Sequence, residues 1–256
     1  MLAHALPEIP VLVCDDRYLA GQLACRRLGA TVAVLDDGFQ HLRLARDVNL
    51  LLVSPDDLRD QVLPAGRLRE PLSAAKAADA VLVPLPDTES GAGSSSEAGQ
   101  VEARALAARL GVARAFSVRM TAGELRPAGA HMVPPGHEDR VVAVCGIARP
   151  ERFLATLERQ GWRVADSIVF KDHHWFSAGD LERIDQAVEA VHATAVLTTE
   201  KDAVRLKAVA GSPRAAWWAV PVEASIEPGA VFADWLASRV RSARAAARHA
   251  AAGGAR

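Results

Sequence analysis

Hydrophobic positions in this chain gather into short runs rather than long stripes. Pro10–Cys14, Thr31–Leu35, Val48–Ser54, Ala80–Pro84, Val141–Gly146, Ala165–Phe170 and Ala195–Thr199 are rich in Val, Ile, Leu and Ala, and few of them alternate with polar residues. Unalternated runs of this length predict strands covered on both faces. Arg17–Leu28, Val101–Leu110, Pro150–Gln160 and Ala178–Ala190 lie between them and read as helices. Strands alternating with helices predict an α/β fold, a mostly parallel sheet flanked by helices. Pro86–Gln100, PDTESGAGSSSEAGQ, breaks the pattern and reads as a surface loop or linker. A second polar stretch, Ala122–Asp139, carries Pro and Gly and places a boundary before the strand Val141–Val144. The expected organisation is a core over residues 1–121, a second, smaller α/β lobe over 140–236, and an Ala/Arg-rich tail over 237–256 that frays at its end. No internal repeat is present.

Composition narrows the function classes. The chain has 256 residues, half of them hydrophobic and 24% charged, as in a soluble globular protein of one large or two small domains. Thirty Lys and Arg balance thirty-one Asp and Glu, which argues against a bulk electrostatic nucleic-acid binder. Aromatic residues are only 5%, too sparse for base-stacking platforms. Cys14, Cys25 and Cys145 form no CxxC pair, so neither a disulfide framework nor a Cys-rich zinc site is expected, and a reducing cytoplasm fits. No apolar run is long enough to span a bilayer, and the first ten residues, MLAHALPEIP, lack the layout of a signal peptide.

The strongest local chemistry is Val32–His41, VAVLDDGFQH, in which an expected strand ends in two carboxylates and a glycine. Ligands of doubly wound sheets bind at the carboxyl ends of strands, where an acid can hold Mg²⁺ directly or through water. Asp-Gly is also a common turn pair, and the pattern alone leaves both readings open. Gln40 and His41 add polar groups at the same edge.

The segment Leu35–Val53, LDDGFQHLRLARDVNLLLV, resembles the signature of the tetraacyldisaccharide 4′-kinase family, the lipid A 4′-kinases. Leu63–Leu72 (LPAGRLREPL), Cys145–Pro150 (CGIARP) followed by Phe153, Asp172-His173-His174, and Thr199–Ala203 (TEKDA) are similar to further motifs of that family, in the family's order. The resemblance implies an ATP- and Mg²⁺-dependent kinase that moves the γ-phosphoryl of ATP to the 4′-hydroxyl of an acylated glucosamine disaccharide 1-phosphate, giving lipid IVA. It implies a phosphate-loop NTPase-like core, a location at the cytoplasmic face of the bacterial inner membrane, and contact with the membrane surface. No nucleic-acid or protein partner is inferred.

By the same resemblance, Asp36 and Asp37 organise Mg²⁺ and the γ-phosphate, with Gln40 shaping the nucleotide side. Arg17, Arg69 and Glu70 contact phosphate or substrate, and His173 is the catalytic histidine, with His174 the spare. Each has a plainer reading: Arg17 as a helix residue behind an Asp cap, Arg69–Glu70 as a surface pair, the histidine as a member of an aromatic cluster with Trp175 and Phe176. Lys201 and Asp202 either close over the site or pair with each other. Arg241, Arg244 and Arg248 share a face of the tail helix, which reads as solvated.

The chain departs from the family at its start. No GxxxxGK[ST] phosphate loop occurs, and Ser90–Gly99 is glycine-rich but lacks the lysine. The expectation is that Met1 falls inside the family's sequence, so that the apolar N-terminal helix, the Gly-Asp-Glu motif and the first βα units are missing and strand edges are left unpaired. Two other functions stay in play: a catalytically silent fragment that keeps only the lipid-disaccharide site, and a metal-dependent phosphohydrolase built on Asp36, Asp37 and His173.

Overall fold

The structure is a computed structural model that describes residues 3, 6–85, 94–129, 133–172, 174–207, 209 and 215–253. In chain order the described strands are β1 (Leu50–Leu52), β2 (Ala80–Leu85), β3 (Ala115–Ala122), β4 (Arg126–Pro127), β5 (Arg140–Cys145), β6 (Arg163–Val169), β7 (Ala195–Thr199), β8 (Ala216–Val220) and β9 (Val222–Glu227). The described helices are α1 (Arg17–Leu28), α2 (Ser94–Leu110), α3 (Pro150–Arg159), α4 (Ala178–Ala190), α5 (Glu200–Leu206) and α6 (Gly229–Gly253). The chain divides into two compact units, Met1–Pro7 with Ala122–Glu223, and Glu8–Thr121 with Ala224–Arg256.

In the Ala122–Glu223 unit five strands run in the order β4-β8-β7-β5-β6. β5 is parallel to β6 and β7, β7 is parallel to β8, and only β4 joins antiparallel. The unbroken apolar run of β5 follows from its position. Val141, Ala143 and Cys145 face the core under Phe153 and Leu157 of α3, while Val142 and Val144 face the core under Leu181, Ile184 and Val188 of α4. Period-two alternation sends successive residues to opposite faces, and both faces are covered. α4 starts cleanly because Ser177 accepts from the Asp180 N–H while the Asp180 carboxylate accepts from Ser177, a reciprocal cap.

The other unit holds a four-stranded sheet in the order β1-β2-β3-β9, with β1, β2 and β3 parallel. Val81 and Val83 of β2 pack with Leu106 and Leu110 of α2. α6 lays Phe232 and Trp235 against Phe116 of β3, with ring centroids at 5.0 and 5.7 Å, and Arg239 reaches Asp79.

Pro10–Cys14 and Thr31–Leu35, expected as strands, are not strands. Val13 is 96% exposed and Val34 93%. β-propensity alone does not hold a strand; a hydrogen-bonded neighbour does, and neither segment has one among the described residues. Ser94–Gln100, expected as linker, is the first part of α2. Its register is fixed by the buried Gln100 amide, which donates to the Ala115 carbonyl at 2.8 Å and accepts from the Ser117 N–H at 3.3 Å. Residues 86–93 lie outside the described set. The tail is helical as far as Gly253.

Candidate active site

Asp36 and Asp37 form a tight turn at the start of the Leu35–Val53 motif. Asp37 takes φ +53°, the left-handed region that Asp tolerates better than most residues. The next position must be glycine, since a Cβ on Gly38 would sit 2.6 Å from Leu35 Cβ. The Gly38 carbonyl accepts from the His41 N–H at 3.1 Å and closes the following turn. Both carboxylates point outward, and the Asp37 side chain is 83% exposed.

The loop from Asp60 to Leu72 brings a cation to this turn. Asp60 anchors the loop. Its carboxylate accepts from Arg67 Nε at 2.6 Å and from the Gln61 and Arg67 N–H groups. These bonds, the Arg67 guanidinium first, hold the Asp60 carboxyl below its usual range, and the same pair raises Arg67. Gly66 is enclosed so tightly that a Cβ would lie 2.3 Å from both Asp60 Oδ1 and the Gln61 carbonyl oxygen. Folded this way, the loop sets Arg69 Nη1 3.4 Å from Gln40 Oε1 and 3.9 Å from Asp37 Oδ2. Glu70 is half-buried beside it. Arg17 is not part of this group among the described residues. It donates to the Cys14 carbonyl at the head of α1, behind the Asp16 cap.

A second polar assembly lies in the Ala122–Glu223 unit, at the carboxyl ends of β5, β6 and β7. Asp202 is fully buried. Its Oδ2 accepts from the Gly146 N–H at 2.9 Å and from the Thr199 hydroxyl at 2.8 Å, and its Oδ1 accepts from Arg205 Nη1 at 3.1 Å. Lys201 Nζ lies 3.6 Å from Asp172 Oδ1. Of the two arrangements expected for Lys201 and Asp202, mutual pairing does not occur: each has a different partner. His174 Nε2 meets Asp180 Oδ2 at 3.0 Å, and the ring stacks on Phe170 at 4.6 Å and meets Phe176 edge-on at 5.2 Å. The aromatic cluster is therefore built on His174, and Trp175 stays out of it, 87% exposed. His173 lies outside the described residues. The Cys145 thiol is pushed up to about 11 by burial, then by the charges of Asp202 and Glu151, and stays protonated and unreactive at neutral pH.

The family model for LpxK, tetraacyldisaccharide-1-P 4′-kinase, matches residues 1–241. The chain belongs to the tetraacyldisaccharide-1-P 4′-kinase family. It is 37% identical over 202 residues to the tetraacyldisaccharide 4′-kinase of Koribacter versatilis, covering 78% of this chain and 56% of that one. Over 209 residues it is 40% identical to the enzyme of that name from Anaeromyxobacter dehalogenans strain 2CP-1, covering 80% and 54%. It also matches a crystal structure described as the "apo" form of LpxK from Aquifex aeolicus in complex with ATP, with a TM-score of 0.62 and 26% identity, covering 89% of this chain and 64% of that one. The chain thus spans a little over half the length of these curated relatives.

Within this kinase family chain, the fold brings three of the sequence-picked residues, Asp37, Gln40 and Arg69, into one group, with Asp36 and Glu70 adjoining. Among the described residues Arg17 bonds the Cys14 carbonyl rather than this group, and Lys201 and Asp202 have separate partners. Sequence reading missed Asp60 and Arg67, which shape the Arg69 loop, and Arg205. Thr199 and Asp202 carry a detectable signal, the Thr-x-x-acid spacing of a helix cap. Nothing local signals that Asp202 also bonds Gly146, 56 positions away.

Proposed function

We propose that this chain carries the ATP-dependent phosphorylation of the 4′-hydroxyl of a tetraacyldisaccharide 1-phosphate, giving lipid IVA. The observation that carries the reading, beside family membership, is the convergence of Arg69 on Gln40 and Asp37 from two separate motifs. A guanidinium over a carboxylate turn offers a bidentate donor for phosphate oxygens beside anionic oxygens for a cation.

Asp36 and Asp37 suit Mg²⁺. Two exposed carboxylates on one turn suit an ion held mainly by phosphates and water. Held by Asp36 and Asp37, Mg²⁺ would supply neutralisation of phosphate charge during transfer. Arg69 and Glu70 orient phosphate and acceptor, and Gln40 holds the Arg69 fork in place. His173 takes the proton from the sugar hydroxyl as it attacks. Arg17 contributes a further phosphate contact. No helix among the described residues is long and apolar enough to cross a membrane. An acylated acceptor places the work at the membrane surface, at the cytoplasmic face of the bacterial inner membrane.

The test is phosphoryl transfer from radiolabelled ATP to the acylated disaccharide 1-phosphate with Mg²⁺. The expected product carries one added phosphate on the 4′-position. Asp37→Ala lowers turnover by a large factor, and His173→Ala lowers kcat by ~10²–10⁴-fold with KM for ATP little changed. Acceptor binding with no transfer at all would replace the kinase reading with the binding-only one.

A further inference from the structure

We propose that Asp202 is a positioning residue that ties the turn after β5 to the Asp172–His174 segment after β6, with Lys201 as a second tie from the same helix. The inference rests on the kinase reading above and adds to it two residues whose described bonds run to the protein itself.

A helix cap alone does not account for Asp202. The reciprocal bonds between Thr199 and Asp202, 2.8 Å from hydroxyl to carboxylate and 3.1 Å from N–H to hydroxyl, already complete the cap of α5. An acid at this helical position caps as well when exposed, and burying an ionised carboxylate is costly unless it is fully paired. Here the carboxylate is fully buried and takes two further donors, Gly146 N–H and Arg205. Arg205 also donates to the Gly146 carbonyl at 3.4 Å, so both polar groups of one glycine are held by one ion pair.

Gly146 is the contact point with the next loop. A Cβ there would lie 3.3 Å from the Lys171 carbonyl oxygen and 3.5 Å from His174 Cβ. The Lys171 carbonyl accepts from the His174 N–H at 3.1 Å, and the Phe170 N–H donates to the Cys145 carbonyl at 2.8 Å. On either side of position 173, then, the chain is fixed: Asp172 by Lys201, and His174 by Asp180, Phe170 and the Gly146 turn. Three elements meet at Asp202 and Lys201, which links the TEKD motif to the Gly146 turn and, through it and Lys201, to His174 and Asp172. Proton transfer in phosphoryl transfer tolerates little misplacement of its base.

The test compares Asp202→Asn and Lys201→Met with a core control, Leu157→Ala, in the whole chain. Asn keeps the volume and removes the charge. Asp202→Asn is expected to lower kcat by about tenfold to a hundredfold with KM for ATP within about twofold. It also shifts the Gly146 amide resonance and the imidazole resonances of His173 and His174. Lys201→Met, at a half-exposed position that does not threaten folding, gives the same pattern in smaller measure. Leu157→Ala lowers the melting temperature but leaves kcat per folded molecule and the histidine resonances near those of the parent. Histidine resonances that stay in place in both Asp202→Asn and Lys201→Met overturn the proposal. So does an Asp202→Asn enzyme that behaves like the Leu157→Ala control. A parent with no phosphoryl transfer would refute the kinase reading instead, and the resonances alone would then decide whether Asp202 governs the histidine loop.

Discussion

The acid turn and the Asp202 cluster use the same side-chain types in opposite ways. At the acid turn Asp37 is 83% exposed, and its cation, Arg69, stands off at 3.9 Å. At the other cluster Asp202 is fully buried, and its donors lie between 2.8 and 3.1 Å. The first carboxylate turns its lone pairs to solvent; the second takes three donors from the protein, two on Oδ2 and one on Oδ1. A loosely partnered, solvated carboxylate held on a strained turn suits chemistry, whereas a saturated buried one suits architecture. The two regions should therefore respond in opposite senses to mutation.

The largest expected effect is on stability at the buried cluster. Asp202→Ala removes the buried carboxylate that both Arg205 and the Gly146 N–H donate to, and should cost about 3–5 kcal/mol. At roughly 2–4 °C per kcal/mol for a chain of this size, that lowers Tm by about 10 °C. Asp37→Ala should change stability by no more than about 0.5 kcal/mol. Urea unfolding of the two variants checks the contrast, and equal losses would erase it.

Next in size is the core. Ile184, fully buried on α4 between β5 and β7 residues, should cost about 2–5 kcal/mol on truncation to Ala. Val34, which matches it in sequence character but is 93% exposed, should cost under about 0.5 kcal/mol. Thermal melts of Ile184→Ala and Val34→Ala separate them.

That pair also shows what was legible in the sequence. β5 and β7 were readable because each is buried on two faces, so hydrophobicity and structure coincide. Thr31–Leu35 has equally strand-like residues and forms no strand, because pairing depends on a neighbour that a local pattern does not report. β8 and β9 were missed for the converse reason: AWWAV and VEASIE gain their pairing from β7 and β3, far off in sequence. At the site, Asp37, Gln40 and Arg69 were legible from motifs. Asp60, Arg67 and Arg205 were not, since a residue that shapes a loop carries no chemical signature until the loop is folded. The linker reading of Ser94–Gln100 failed because composition cannot show that Gln100 plugs into the backbone of β3.

A smaller effect is expected at Asp180, which caps α4 and holds His174. Burial works to raise its pKa, but the hydrogen bonds from His174 and from the Ser177 hydroxyl and N–H outweigh burial and hold the carboxyl below its ordinary value. A carboxyl lowered by folding stabilises the chain above its unfolded pKa and loses that contribution as pH falls through the folded value. Asp180→Ala should cost about 0.5–2 kcal/mol at pH 7. Stability curves of parent and variant should converge as the pH drops below about 4. Parallel curves down to acid pH would mean that Asp180 is not ionised in the fold.

The smallest effect reads the charge of Asp202 directly. Cys145 adjoins Gly146 and its thiol is pushed up from 9.0 to about 11 by burial first and the Asp202 charge second. A thiol raised by folding favours the native state below its unfolded pKa, and that contribution is lost as pH climbs from 9.0 towards about 11. Cys25 is exposed. A disulfide reagent at pH 8 should therefore label Cys25 in the native chain and reach Cys145 only on unfolding. Asp202→Asn removes one of the two charges acting on the thiol, so Cys145 should ionise at lower pH in that variant, visible in the thiolate absorbance during a base titration. An unchanged Cys145 titration would mean that the Asp202 carboxylate does not act on the thiol, and the contrast between the exposed Asp37 and the buried Asp202 would then rest on burial and hydrogen bonding alone.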